Sequence, residues 1–188
     1  MDNTLCWDEF KGKKNNREQL KKKAIELFKI IHNSAVEIKN ILSKEYIGLK
    51  DSIKSFESII EIEFFLLNCI DRIAFYILNT KKRSIFMEEL VQNMSNLYKL
   101  ALQEATKGRI DMGDSYFKDY ANHQIKYFQF LNMFPLEKGV FSNTGVSFLG
   151  KKVSKIIETK FSLKLTEELN NMIVGLIAAM NLKELLRG

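Results

Sequence analysis

The stretch IKSFESIIEIEFFLLNCIDRIAFYIL, residues 53–78, decides the fold. At 3.6 residues per turn it is apolar nearly all round, which marks a helix enclosed by neighbours rather than one lying on a surface. The window from Ile59 to Leu78 is also long enough to raise the question of a membrane span. It carries Glu61, Glu63, Asn68, Asp71 and Arg72, and each charge near a bilayer centre costs roughly 2.5–3.5 kcal/mol even on gentle insertion scales. The run from Met172 to Met180 falls short of the about 20 residues a span needs. No transmembrane segment is expected.

The flanking sequence supplies the neighbours. Upstream, Leu20, Ala24, Leu27, Phe28, Ile31, Ala35, Ile38, Ile41 and Leu42 recur in steps of three and four, one stripe of a helix from about Arg17 to Lys44. Gly48 interrupts it, and Asp51 or Ser52 can cap the central helix. Downstream, helices are expected over about Arg83–Thr106, Asp114–Phe134, Val146–Phe161 and Thr166–Leu186. Gly108 and Pro135 act as stops, Asp111 or Asp114 as one cap and Thr166 as another, with Glu167 and Glu168 against the helix dipole. A single proline and few glycines leave little turn chemistry for sheets. The expected class is therefore all-α, an irregular bundle of five or six helices around residues 53–78. Short connections make those helices mostly antiparallel. The 188 residues suit one such domain over 17–188, with residues 1–16 as a flexible basic or polar tail holding Trp7 and Phe10.

The net charge of +6 permits contact with nucleic acid, acidic membrane surfaces or acidic proteins without choosing among them. Cys6 and Cys69, far apart and without an apolar leader, fit a reducing, cytoplasmic compartment. The abundance of Lys, Ile and Asn fits an AT-rich bacterial genome.

Complete chemical motifs do not emerge. Residues 145–151, GVSFLGK, match most of a phosphate-binding loop, but Lys152 stands where the magnesium-holding Ser or Thr belongs. No strand precedes it and no Asp follows Asp119, so the match reads as coincidence. The residues three before His32 and His123 are Lys29 and Tyr120, which excludes the Glu-x-x-His pairs of a di-iron bundle. The two cysteines form no zinc pattern. No cofactor, metal or catalytic residue is expected.

The informative anomaly is Glu63. Its neighbours three and four residues away are Ile59, Ile60, Leu66 and Leu67, so its carboxylate must be paired or protonated. Asp71, among Leu67, Ile70, Phe75 and Leu78, has a milder version of the problem. Glu61 and Arg72 share a polar seam on the same helix. Ionisable groups forced into apolar ground are candidate functional sites. A ligand-binding set would comprise Glu63, Asp71 and Arg72 with Asp119, His123 and Tyr127, and Tyr120 beside them. A nucleic-acid surface would use Lys13, Lys14, Arg17, Lys21 and Lys22, joined by Lys151 and Lys152. A homo-oligomer would use the last long helix, where Ile173, Leu176, Ile177 and Met180 surround the Gly175–Ala179 step. The sequence is read first as a non-enzymatic interaction or binding module. The alternatives are a small-molecule pocket or enzyme using the carboxylates of the central helix with His123, and a nucleic-acid-binding protein.

Overall fold

The computed structural model describes residues 4–106, 115–136 and 140–187, and the side chains among them except those of 4–16, 101–106, 115–117 and 187. Among these residues all regular structure is helical. The helices are α1 (Thr4–Leu42), α2 (Ser52–Ile77), α3 (Thr80–Thr106), α4 (Ser115–Phe128), α5 (Gly145–Ile156), α6 (Leu163–Ala179) and α7 (Leu182–Arg187), with a short 3-10 turn at Ile47–Lys50 before α2.

Helix α2 is the centre of the bundle. It packs against α1, α3, α4, α5 and α7, and every residue from Glu61 to Asp71 is buried. Phe64, Phe65, Leu66, Leu67 and Ile70 are almost wholly enclosed, each contributing roughly 1.5–3 kcal/mol by leaving water. Asp51 caps the helix, accepting from the backbone N–H of Ile53 at 3.0 Å and of Lys54 at 2.9 Å. Two ion pairs, Lys54 with Glu158 at 2.7 Å and Glu61 with Lys152 at 3.7 Å, place the start of α2 beside the end of α5, so the two run antiparallel.

Several boundaries differ from expectation for local reasons. Helix α1 begins at Thr4 rather than near Arg17, so the backbone of 4–16 continues that helix. The side chains of Trp7, Phe10, Lys13 and Lys14 lie outside the described residues, as do Gly108, Asp111 and Asp114. Helix α4 stops at Phe128, short of Pro135, and the turn that follows it is held by a side chain of α2, as shown below. Ser162, not Thr166, caps α6, its hydroxyl accepting from Leu165 N–H at 3.3 Å. Thr166 instead faces α5, where a Cβ on Gly150 would stand 2.3 Å from its hydroxyl oxygen. Gly145 and Gly150 thus serve a helix start and a close helix contact, and no phosphate loop forms. The expected last helix breaks at Asn181, whose φ of 41° lies in the left-handed region, separating α6 from α7.

Candidate functional site

The polar groups of α2 separate into distinct neighbourhoods because a fully enclosed helix points side chains at every neighbour. Glu63 turns toward α1 and α3. His32 Nδ1 lies 2.9 Å from its Oε1, and the Tyr98 hydroxyl donates to its Oε2. Glu63 is wholly buried and His32 is half-buried. Burial pushes the Glu63 carboxyl above its ordinary value, and the hydrogen bond that His32 makes to Glu63 raises the imidazole. The two groups therefore hold a proton between them more tightly than either would alone in water. The sequence foresaw that Glu63 needs a partner, but it did not identify His32 or Tyr98. His32 sits next to the apolar stripe of α1 at Ile31, and that adjacency was its only signal.

Glu61 turns toward α4 and α5. His123 Nδ1 stands 2.7 Å from the Asp119 carbonyl oxygen, which can only accept, so this nitrogen carries a hydrogen. Its Nε2 faces Glu61 Oε1 at 2.8 Å. Asp119 thus contributes its backbone, while its exposed side chain points elsewhere. Tyr127 is fully enclosed, with its ring edge-on to Phe65 and Phe148. Burial, with the Glu61 charge adding to it, holds the phenol well above its usual value. Its hydroxyl and Glu61 Oε2 have no hydrogen-bond partner among the described residues.

Asp71 turns toward α3 and α4. The Arg83 guanidinium donates to both its oxygens, at 2.7 and 2.6 Å, a two-pronged match of planar groups. The Gln124 amide donates to Asp71 at 3.3 Å and to the Tyr120 hydroxyl at 2.5 Å. Arg72, one residue on, does something else. It donates to the carbonyls of Tyr127 at 3.0 Å, Phe130 at 2.7 Å and Leu131 at 3.2 Å. A cation there bonds the Tyr127 carbonyl in the last turn of α4 and two carbonyls just beyond it, and meets the negative end of the helix dipole. Arg72 and Glu61 do not share the seam expected of them. The six ligand-binding candidates are thus spread over separate contacts rather than gathered round one cavity.

The basic candidates are also dispersed. Lys21 pairs with Glu89 at 2.8 Å, while Arg17 and Lys22 are exposed. Lys151 lies over the Phe161 ring, and Lys152 lies over Phe148 and reaches Glu61. Among the described residues no three His, Cys, Asp or Glu side chains group to hold a metal. No described helix is long and apolar enough to cross a membrane. Cys69 is buried, its thiol pushed up by desolvation.

One feature left unabsorbed by internal packing is an apolar end. Where α2 and α4 finish, Phe75, Tyr76, Phe128 and Leu131 are 61, 85, 57 and 94% exposed. They fall into two groups, Phe75 and Tyr76 beside Arg83 and Phe128 and Leu131 beside Arg72. The Phe75 and Tyr76 rings are 5.5 Å apart, Arg83 lies over Phe75 at 5.4 Å, and Arg72 lies over Phe128 at 5.9 Å while bonding to Leu131. Single exposed apolar residues are ordinary, whereas several gathered at one end of a folded surface are a candidate contact site. Phe75 is exposed although the helix over residues 53–78 is expected to be enclosed by its neighbours. The chain has no match among protein-family models, curated proteins or solved structures.

Proposed function

We propose that the protein is a non-enzymatic interaction module whose contact surface is the apolar end formed by α2 and α4. One observation carries this reading. Phe75, Tyr76, Phe128 and Leu131 stay exposed although the arginines beneath them are engaged, Arg83 by Asp71 and Arg72 by carbonyls of residues 127–131. The end is therefore preorganised, and a partner covering it gains apolar burial without having to order it. The alternative of an active site on α2 is weakened, because its carboxylates already face partners of their own.

Comparative capture tests the proposal. The parent chain, a Tyr76→Ser/Leu131→Ser variant and an Ile53→Ser control would be used as baits in cells of the source. Ile53 is also exposed, but at the opposite end of α2. Proteins held by the parent and the control, and lost by the double variant with its helicity intact, are the expected result. Identical captured sets for all three baits would refute the assignment of this end.

A further inference from the structure

We infer that the cleft between α3 and α4 is a separate binding site, which takes an uncharged small molecule carrying an amide on an apolar body. The inference stands apart from the reading of the apolar end. A cavity of about 520 Å³ opens in this cleft, a size that holds a small-molecule ligand. Met87 and Val91, both buried, form its apolar wall on α3, and Ala121 lines it from α4. Asp71, Arg83, Tyr120 and Gln124 bring polar groups to the same space. Apolar walls with a few fixed polar groups are the usual build of a ligand site.

The polar groups lock one another, and that decides what they still offer. Asp71 is 4% exposed and accepts from Arg83 through Nε and Nη2. The Gln124 amide nitrogen donates to Asp71 and to the Tyr120 oxygen, which uses both its hydrogens. The Gln124 carbonyl is left as an acceptor. The Tyr120 hydroxyl, whose oxygen already accepts, is left with its hydrogen to donate. Neither has a further partner among the described residues. Tyr120 is only 9% exposed, so its idle donor lies away from bulk water, where an acceptor brought by a ligand counts most. A donor beside an acceptor complements an amide, whose C=O accepts and whose N–H donates.

The charge of the lining argues against an ion. Among the described residues the charged groups that line the cavity are Asp71, Arg83 and Glu88. Asp71 and Arg83 form a pair at 2.6 Å and cancel. Glu88 is exposed and accepts from the Ser84 hydroxyl at 2.8 Å. An anion in the cavity would meet two carboxylates, and a cation would meet a guanidinium. Like charges brought together in a partly desolvated site are costly, whereas a neutral amide meets neither penalty.

The test is titration of the full chain with phenylacetamide, phenylacetate and phenethylamine, probes that share a benzyl group and differ in the charge of the head. Binding is followed by nuclear magnetic resonance at the isotope-labelled methyl group of Met87, identified by its loss in Met87→Leu. Phenylacetamide should shift this signal saturably, and the two ions should bind about fivefold more weakly or worse, the size of one lost hydrogen bond. Tyr120→Phe keeps the ring, removes the donor and should weaken phenylacetamide by about the same factor. Ala121→Trp, at an exposed position, fills the cleft and should abolish the shift with circular dichroism unchanged. The Tyr76→Ser/Leu131→Ser variant should bind phenylacetamide as the parent does. Absence of a saturable shift with phenylacetamide, tighter binding of either ion, or binding indifferent to Tyr120→Phe or Ala121→Trp would overturn the inference. Loss of binding in Tyr76→Ser/Leu131→Ser would overturn it as well, by assigning the probe to the apolar end.

Discussion

Replacing Glu63 probes the centre of the fold. The carboxylate is fully buried and holds His32 from α1 and Tyr98 from α3. Glu63→Leu relieves the desolvation of a charge but takes an acceptor from Tyr98 and the partner from His32. Breaking a buried pair by removing one member costs about 3–5 kcal/mol. Because His32 reaches solvent on one side and can shed its proton, the expected loss lies near the lower limit, about 3 kcal/mol. For a chain of this size that is a fall in midpoint of roughly 6–12 °C. Glu63→Gln keeps the shape and one acceptor, so its loss should be smaller. The pH dependence gives a sharper reading. Both His32 and Glu63 have folded-state values raised above the ordinary 6.5 and 4.5, so the native protein holds more protons than the unfolded chain above those values. Stability from the pair is then complete at low pH and is lost as pH rises through the folded values. The gap between parent and Glu63→Gln should therefore narrow as pH climbs from 6.5 through the raised value of His32. Urea unfolding followed by far-UV circular dichroism across pH measures it. A Glu63→Leu protein as stable as the parent at every pH, or a gap that widens with rising pH, would refute the reasoning.

Further outcomes follow from single contacts. Arg72→Ala should cost about 2 kcal/mol, because the carbonyls of Tyr127, Phe130 and Leu131, at and just beyond the end of α4, lose a charged donor, and hydrogen exchange should quicken in the last turn of α4; Lys at this position should restore little, since a point charge lacks the planar fork. Gly150→Ala should destabilise by about 1–3 kcal/mol, because the new methyl meets Thr166 between α5 and α6. Gly175→Ala, where nothing stands within 4 Å, should stabilise by about 1 kcal/mol through helix propensity, and thermal melts of the two glycine variants should move in opposite directions. A homodimer through α6 remains a proposal; a sedimenting monomer at high micromolar concentration would count against it. Ile173 and Met180 are already buried within the chain, and Leu176 and Ile177 pack against the core.

The residue pattern alone carried the class of the protein and its centre. Apolar character on all sides of residues 53–78 has one economical solution in water, a helix wrapped by others, and Leu20 to Leu42 carries the stripe that wraps it. The Asp51 cap was legible for the same reason, because capping is a contact between near neighbours in the chain. The need of Glu63 for a partner was legible too, since burial of a carboxylate follows from its own helix face. Which partner it finds was decided only by the tertiary structure. His32, Tyr98, Arg83 and Gln124 reach α2 across three other helices, and helical periodicity fixes the face of a residue but not the rotation and offset of one helix against the next. The same limit misplaced Arg72, which serves the end of α4, and Thr166, which fills the space left by Gly150. It also hid the apolar end, because Phe75 and Leu131 differ from core residues only in lacking a helix laid over them.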